Sequence, residues 1–518
     1  MNNQILIAVG GTGARVAQSV VAMAAAGLSS ELGVNANATK SQMYIKLVDI
    51  DVDHKDGQEL YDMIESYNAT VGEILEANPA AFGDKKWRPM KIRMVDKPEF
   101  VFDAQLGGAG IKKEKIEDIV VGLKDEPRLL LDSLISKNDR EMNLLAGCKA
   151  RPRIGALLWQ YLYNMDTQGF WQDVRNMMTP GNTTRIMFAG SVFGGTGASG
   201  VPTLAKLLRQ SLKSDVQGTN SFGITLMSPY FQLTPPDDAP VQSKKFPFES
   251  KMAMRYYESD LDLLQMDCVQ IVGDELHTMI TNVEKRQDKD PVWQEISYTP
   301  DITGEQNNPS MPAELVAAIG IHMFFAGKEA GNLMMHGHEV PYEEKASDVH
   351  SINMLPSASE SGKCLYRLAR FCHIMNDYCN LLADEAPRRK PAMFHKLWDD
   401  GNLGGVDWRE KYWKNRDIGI GHILDFSENI NRWLNDLEQN GMRDVLHFDR
   451  ERNEIRNAAC HGSAGFTSHG MKGNKILGTL NSQVNSFFKD ITNVESKLVP
   501  QIRQRALMNA LLEACTEA

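Results

Sequence analysis

Two glycine-rich loops are the parts of this sequence best suited to chemistry. The first follows the apolar run QILIAV and contains Gly10, Gly11, Thr12, Gly13, Ala14 and Arg15. The second follows RIMFAGSVF and contains Gly194, Gly195, Thr196, Gly197 and Ala198. Glycine lets backbone N–H groups approach a phosphate closely, and a helix N-terminus and a threonine hydroxyl can strengthen the binding. One such loop is also typical of a simple tight turn, but two in one sheet favour a phosphate site.

Other residues could complete a nucleotide site. Neither loop has the Walker pattern GxxxxGK[ST] or the full GxGxxG fingerprint. A third cluster, Gly108, Ala109 and Gly110, precedes a segment with a helical pattern. Asp49 and Asp51 end the second expected strand, where an acid can meet a ribose hydroxyl or a magnesium-bound water. Helix capping or surface charge would explain these two aspartates equally well.

The first half of the chain alternates strand and helix patterns that could position the loops. Strands are expected at residues 4–9, 43–50, 185–190, 221–227 and 268–272. Helices are expected at residues 15–28, 201–212 and 252–264. This order predicts the α/β class, with a parallel sheet flanked by helices on both faces.

The pattern changes along the chain and predicts three parts. Residues 1–308 are expected to form a nucleotide-binding domain with a helical insertion at about 111–178. A long apolar helix opens at Pro309, where proline suits the first helical turn, and residues 309–335 are expected to form a central helix. Residues 336–518 are expected to form a mainly helical C-terminal domain, with helices at 364–382, 423–439 and 485–518.

Charge and composition exclude several classes of protein. The 518 residues carry a formal net charge of −11, which disfavours binding to duplex nucleic acid because such binding needs a basic face. No apolar run reaches the ~18–20 residues that span a bilayer, so membrane insertion is not expected. The N-terminal residues lack the basic region of a signal peptide, and the 7 cysteines form no disulfide framework. A cytoplasmic protein without a metal site of its own is expected.

The glycine loops resemble those of the tubulin/FtsZ superfamily. The segment GSVFGGTGASGVP is similar to its signature GGGTG(S/T)G, and the strand GITLMSPY and the pair Phe248-Glu249 continue the resemblance. The chain is more similar to the bacterial tubulin-like proteins than to FtsZ or tubulin. The resemblance implies a tubulin/FtsZ-like GTPase domain, GTP or GDP as ligand, and Mg²⁺ carried by the nucleotide. It also implies head-to-tail self-assembly into filaments.

By position, the resemblance assigns a role to the candidate residues. The two GGTG loops and the GAG cluster correspond to phosphate loops, and Asp49 and Asp51 correspond to the acidic second loop. Glu249 corresponds to a glutamate that contacts the ribose. Asn307 or Asn308 corresponds to an asparagine that reads the base, although asparagine also favours a helix N-cap.

Three acids are the candidates for catalysis by resemblance. In polymerising relatives, acids in the loop after the central helix enter the neighbouring subunit and activate water. The matching residues here are Glu343, Glu344 and Asp348, which would also suit a solvated acidic turn. Slow GTP hydrolysis completed between subunits is therefore expected, and the C-terminal region is the expected contact for protein partners.

Two other functions stay open from the sequence. The first is a nucleotide-binding scaffold or switch with little hydrolysis, serving a bacterial multi-protein system such as defence or stress signalling. The second is a Rossmann-type NAD(P)-dependent oxidoreductase, because a glycine loop followed by the strand LVDID also suits a dinucleotide. The second GGTG loop discriminates between nucleotide classes, since a dinucleotide fold needs only one such loop.

Overall fold

The structure, a computed structural model, describes separate stretches of the chain. They are residues 2–34, 41–49, 55–72, 90–95, 115–120, 124–141, 148, 151–165, 172–178, 183–211, 220–232, 243–259, 266–274, 277–278, 280–283, 292–295, 308–328, 333–336, 364–365, 368–369, 371–372, 420–437, 439–440, 448–449 and 454–455. The helices and strands given below lie within these stretches.

Strands and helices alternate through the first part of the chain. The described strands are β1 (Asn2–Val9), β2 (Ser41–Val48), β3 (Lys91–Met94), β4 (Thr183–Ser191), β5 (Asn220–Met227), β6 (Phe231–Gln232), β7 (Cys268–Val272), β8 (His277–Thr278), β9 (Ile280–Val283), β10 (Val292–Glu295), β11 (Leu333–His336), β12 (Phe448–Asp449) and β13 (Glu454–Ile455). The described α-helices are α1 (Gly10–Ala25), α2 (Leu28–Glu31), α3 (Lys55–Tyr67), α4 (Ile116–Ile119), α5 (Asp125–Leu134), α6 (Lys137–Arg140), α7 (Pro152–Met165), α8 (Gln172–Met177), α9 (Thr196–Ser211), α10 (Phe246–Ser259), α11 (Pro312–Phe325) and α12 (Ile420–Leu437). Asn68–Gly72 forms a π-helical turn and Ser243–Lys245 a 3₁₀ turn.

A seven-stranded sheet forms the centre of the fold, in the order β11-β7-β5-β4-β1-β2-β3. Six of its strands are joined by parallel pairings, from β11 through β7, β5, β4 and β1 to β2. The other described strands pair in twos: β6 with β8, β9 with β10, and β12 with β13. The prediction of the α/β class with a parallel sheet flanked by helices is confirmed.

The sequence of β1 explains why both faces of the sheet are covered. All residues from Ile5 to Val9 are fully buried. Ile5, Ile7 and Val9 belong to one apolar cluster with side chains of α7 and α9. On the opposite face, the Cβ position of Gly223 lies 3.3 Å from the Phe324 ring of α11. An unbroken apolar run of this kind is typical of a parallel strand between two helical layers.

The helices α1 and α9 begin earlier than the sequence predicts. They start at Gly10 and Thr196, rather than near residues 15 and 201. Glycine lowers helix propensity by about 1 kcal/mol relative to alanine, which is why the sequence favours a loop at both places. Tertiary packing reverses that preference, so the glycine segments run directly into the first turns of the two helices.

The central helix is shorter than predicted. It covers Pro312–Phe325 instead of 309–335, and Leu333–His336 forms strand β11. Gly327 ends the helix with a φ of +67°, and the N–H groups of Gly327 and Lys328 donate to the carbonyl oxygens of Phe324 and Met323. These are the two bonds of a Schellman motif, which stops a helix at a left-handed glycine. The expectation of a helix at residues 326–328 and 333–335 was therefore wrong.

The chain divides into two compact units. Unit 1 comprises Met1–Val20, Lys40–Asp62 and Ile92–Ala346, and unit 2 comprises Val21–Thr39, Met63–Lys91 and Ser347–Ala518. The sequence predicted parts at residues 1–308, 309–335 and 336–518. Val21–Thr39 and Met63–Lys91 group with the C-terminal part of the chain.

Unit 2 contains the helix predicted at residues 423–439, which is observed as α12, Ile420–Leu437. Thr70 donates a hydrogen bond of 2.9 Å to the carbonyl oxygen of His422, and Tyr67 packs against Phe426 with ring centroids 6.1 Å apart. Of the helix predicted at 364–382, six positions up to residue 372 are described, and these are helical. The helix predicted at 485–518 lies outside the described residues. Across the stretches that the structure covers, no helix is both long and apolar enough to span a bilayer.

Candidate phosphate-binding site

The two glycine loops lie side by side. Strands β1 and β4 are parallel neighbours, so the loops that follow them leave the same edge of the sheet. A Cβ atom added at Gly10 would lie 3.3 Å from Cβ of Thr196 and 3.4 Å from the backbone nitrogen of Gly197, so the two loops are in close proximity. The N-termini of α1 and α9 therefore meet at the carboxyl edge of the sheet. Two helix N-termini at one point favour an anion, because their free N–H groups and aligned dipoles are positive there.

Four loop residues remain partly accessible at this point. In the first loop Gly11 and Thr12 are half-buried, and in the second loop Gly194 and Thr196 are half-buried. The other predicted loop residues are buried: Gly10, Gly13, Ala14, Arg15, Gly195, Gly197 and Ala198. A ligand could therefore meet the two threonine hydroxyls and the backbone of the two accessible glycines.

Two buried glycines bring the helices against the sheet rather than facing a ligand. A Cβ at Gly13 would lie 2.7 Å from the carbonyl oxygen of Ala189, and a Cβ at Gly197 would lie 2.7 Å from the nitrogen of Ser191. Both distances are too short for a real side chain. These glycines are therefore required by the close approach of helix to strand, which holds the accessible loop residues in place.

Side chains of α7, α9 and α10 form hydrogen bonds that hold the second loop in place. The Ser199 hydroxyl donates to the carbonyl oxygen of Gly195 at 2.7 Å, and the Trp159 indole of α7 donates to Ser199 at 3.2 Å. From α10, the Tyr257 hydroxyl donates to the carbonyl oxygen of Ala198 at 2.7 Å. Bonds to these carbonyl groups fix the loop. The N–H group of Gly194 donates to the Ser191 hydroxyl at 3.3 Å, which also holds the start of the loop.

Arg15 points into the protein. Its Nε donates to Glu314 at 2.7 Å, one terminal nitrogen to Asp56 at 3.0 Å, and the other to the Tyr230 hydroxyl at 2.9 Å. Asn308 also donates to Asp56, at 3.4 Å. The predicted site residues Arg15 and Asn308 thus come together in one polar cluster of unit 1, where protein groups occupy the guanidinium.

The charges in this cluster depend on one another. Burial lowers the pKa of Arg15, but Tyr230, Glu314 and Asp56 raise it, and the net shift is upward. Burial raises the pKa of Glu314, which Arg15 and hydrogen bonds oppose. The Glu314 carboxylate also accepts from the Tyr230 hydroxyl at 2.6 Å and from the Met311 N–H at 3.0 Å. The second bond closes the first turn of α11, so the cluster joins α1 to the start of the central helix.

An aromatic cluster lies between the second loop and the polar cluster. Phe193 immediately precedes Gly194, and its ring centroid lies 4.9 Å from Phe246 and 5.5 Å from Phe231. The Arg15 guanidinium lies 5.5 Å from the centroid of the Phe231 ring. A cation over an aromatic face is attracted by the ring quadrupole, which adds to the stability of this arrangement.

The remaining described candidates are Asp49 and Glu249. Asp49 is buried just after β2, and it helps to raise the pKa of Cys148, for which burial is the larger cause. Glu249 is half-buried on α10, where burial raises its pKa and Lys245 opposes the shift. Within the described stretches, no group of three or more His, Cys, Asp or Glu side chains could hold a metal ion.

Part of the predicted site lies outside the described residues. These candidates are Asp51, Gly108, Ala109, Gly110, Asn307, Glu343, Glu344 and Asp348. The third glycine cluster and the proposed catalytic acids therefore stay predictions.

Sequence reasoning missed the residues that support the loops. Asp56, Tyr230 and Glu314 surround Arg15, and Trp159 and Tyr257 hold the second loop. One signal was present: an arginine within an Ala/Val-rich helix that is buried all round requires a buried partner. The sequence gives no indication of where along the chain that partner lies.

Comparison with known proteins does not identify a family for this chain. No protein-family model matches the chain, and no curated protein matches it significantly. The interpretation of the site therefore depends on its geometry and on the resemblance of its motifs.

Proposed function

We propose that this protein binds one purine nucleotide, GTP or GDP with its Mg²⁺, at the junction of the two glycine loops. The observation that supports this most is the contact between Gly10 and Thr196 at the carboxyl edge of β1 and β4. A triphosphate carries several negative charges, and two helix N-termini with two threonine hydroxyls offer donors to more than one phosphate group. The choice of guanine over adenine is by resemblance alone.

A dinucleotide is the second candidate, because of the sheet order. The order β3-β2-β1-β4-β5-β7 is also the order of doubly wound dinucleotide-binding folds. In such a fold the loop after the first strand holds the pyrophosphate, and a second GGTG loop has no phosphate to bind. The two candidates therefore differ in what the second loop does.

Single substitutions in each loop test the proposal. Thr12→Ala and Thr196→Ala each remove one hydroxyl donor, and a charge-assisted hydrogen bond contributes about 1.5–3 kcal/mol, so each change should weaken GTP binding by about tenfold or more. The measurement is titration of a fluorescent GTP analogue into each variant. An effect of Thr12→Ala alone would favour the dinucleotide, and an effect of neither would refute the site.

A glycine pair provides a matched control for the loop contact. Gly10 and Gly33 have φ values of +72° and +80°, but no atom lies within 4 Å of the Cβ position of Gly33. Changing either to alanine should cost about 1–2 kcal/mol of stability because of the left-handed backbone. Only Gly10→Ala should also weaken GTP binding, since its Cβ would press on Thr196. Equal GTP affinity in both variants would contradict the placement of the ligand.

For activity, we propose slow GTP hydrolysis that is completed when subunits associate head to tail. Phosphoryl transfer relies mainly on positioning and electrostatics, so a carboxylate from a neighbouring subunit could orient water. The candidates are Glu343, Glu344 and Asp348. Replacing all three with alanine should slow turnover and leave nucleotide affinity unchanged, as phosphate release and titration would show. Turnover per chain that does not rise with protein concentration would leave a nucleotide-binding scaffold or switch as the function.

A further inference from the structure

Two helices of unit 1 expose their large apolar side chains to solvent. Among the described residues, the exposed large hydrophobic side chains are Leu129, Leu130 and Leu134 on α5 and Phe248, Met252 and Tyr256 on α10. Their exposed fractions range from 50% to 70%. Single exposed apolar residues are ordinary, but clusters mark surfaces that contact another molecule.

The exposed face of α10 is apolar and basic. Phe248, Met252 and Tyr256 are four residues apart and therefore line one side of the helix. Exposed Lys251 and Arg255 lie beside this row, and exposed Lys244 and Lys245 precede the helix. Four cations thus stand against two acids, Glu249 and Glu258, in this segment. This surface is called the basic face below.

The exposed face of α5 is apolar and acidic. Leu130 and Leu134 are one turn apart, with Leu129 next to them. Asp125 and Glu126 are exposed in the first turn of the helix, and Asp132 is exposed further along it. Exposed Lys124 precedes the helix, so three acids stand against Lys124 and Arg128. The cation of this helix, Arg128, is engaged with Glu117 at 2.7 Å and Asp132 at 3.1 Å. This surface is called the acidic face, and its charge is opposite to that of the basic face.

A chain of contacts through α7 and α9 links the two helices that carry these faces. Arg153 of α7 donates to the carbonyl oxygen of Leu134 in α5, at 3.3 Å. Trp159 of α7 contacts Ser199 of α9, and Tyr257 of α10 contacts Ala198 of α9. The order of contact is therefore α5, α7, α9, α10. Two different, complementary surfaces on separate helices suit a heterologous contact that can repeat from copy to copy.

We propose that the acidic face of one copy of this chain docks on the basic face of the next copy. The inference rests on the self-association proposed above and adds a contact between helices to it. A second copy fits better than an anionic membrane, because the chain itself carries the complementary face. One pair of helices buries less than the ~1,200 Å² of a standard interface, so each contact should be weak and depend on protein concentration.

Charge exchange between the two faces tests this contact. The basic-face variant is Lys251→Glu with Arg255→Glu. The acidic-face variant is Glu126→Lys with Asp125→Asn, because Asp125 has a φ of 56° that asparagine tolerates better than lysine. Each variant alone presents like charges at the contact and should raise the apparent dissociation constant by about tenfold or more. An equimolar mixture restores opposite charges and should associate as the wild type does.

Sedimentation velocity over a range of protein concentrations, with and without GTP, measures the association. Lys328→Glu reverses an exposed charge away from both helices and should have no effect. Wild-type protein that stays monomeric, variants that associate like the wild type, or a mixture that fails to recover would each overturn the interface. Vesicles of phosphatidylserine and phosphatidylcholine that bind the wild type but not the basic-face variant, with association unchanged, would overturn it in favour of a membrane.

Nucleotide titration of the same variants separates this inference from the proposed function. Since neither face contains a loop residue, both variants should bind GTP as the wild type does. Retained binding with unchanged association would refute the interface alone. Charge-dependent association without any nucleotide binding would refute the nucleotide site and leave the interface standing.

Discussion

Arg15 connects the first glycine loop to the rest of unit 1 at the level of single residues. It lies in α1 a few positions after the accessible loop residues, and its guanidinium binds Glu314 at the start of α11. Because Tyr230 and Asp56 take its other nitrogens, this arginine positions the helix that carries the first loop. Gly11 and Thr12 are expected to contact phosphate, whereas Arg15, three positions after Thr12, orients the helix that carries them.

Removing Arg15 should destabilise the fold strongly. Arg15→Ala leaves Glu314 and Asp56 buried without their cation, and breaking a buried ion pair from one side costs about 3–5 kcal/mol. The free energy of unfolding from urea titration measures this effect. Arg432→Ala, at an exposed arginine of α12, should change stability by no more than about 0.5 kcal/mol.

Neutral partners should rescue the loss of Arg15. In the triple variant Arg15→Met, Glu314→Gln and Asp56→Asn, no buried carboxylate lacks a cation, so the protein should be more stable than the single variant Arg15→Met. Equal stability of the single and triple variants would show that packing, and not charge, explains the effect.

His322 should make stability depend on pH. Burial lowers the pKa of this histidine to about 4, although its hydrogen bond to the carbonyl oxygen of Val20 opposes the shift. The folded state keeps the ring neutral, while the unfolded chain takes up a proton below about pH 6.5. Stability from this group is therefore complete above pH 6.5 and is lost as the pH falls towards 4, by about 3 kcal/mol in total. The free energy of unfolding, measured with urea between these pH values, should change less with pH in His322→Gln than in the wild type. An equal change with pH in both proteins would contradict this account.

At the level of elements, the packing of α7 against α9 holds the second loop. A Cβ at Gly155 of α7 would lie 2.9 Å from the carbonyl oxygen of Gly195 and would also collide with the Ser199 hydroxyl. The helical insertion that the sequence placed at about 111–178 thus contributes directly to the candidate site. The packing of α7 against α9 also brings the Trp159 indole within hydrogen-bond distance of the Ser199 hydroxyl.

Gly155→Ala should disturb the site from a distance. The added methyl group should push α7 away from α9 and cost about 1–3 kcal/mol of stability, as overpacking does. GTP affinity should fall as well, because the Trp159–Ser199 contact that holds the loop would be lost. Gln160→Ala, at an exposed position of the same helix, should leave both quantities unchanged. Denaturation and GTP titration of the two variants check the prediction.

The sequence predicted the elements that carry strong local patterns. β7 was predicted with its observed bounds, and β1 and β4 to within two residues at each end. The short strands β3 and β11 were missed, because four residues give little pattern to read. The starts of α1 and α9 were missed because glycine signals a loop, whereas close packing against the sheet makes these glycines helical.

Long-range contacts were beyond prediction for a physical reason. Arg15 and Glu314 are 299 positions apart, and nothing local links them. The adjacency of the two loops could be expected once both were assigned to neighbouring parallel strands. The groups that support them depend on how helices pack, which one sequence does not reveal.

For the whole molecule, the strand order does not by itself decide the ligand. The same order suits a mononucleotide held by two loops and a dinucleotide held by one. What distinguishes the two is the second GGTG loop, whose accessible residue Thr196 lies beside Gly10 of the first loop. Whether the proposed site takes a guanine nucleotide or a dinucleotide is therefore the central question about this protein.

Competition binding answers that question most directly. Labelled GTP is titrated into the wild-type protein, and unlabelled GTP, ATP and NAD are then added as competitors. We expect saturable binding of one GTP per chain, displaced by unlabelled GTP and not by NAD. Saturable binding of NAD without binding of GTP would contradict the proposed function.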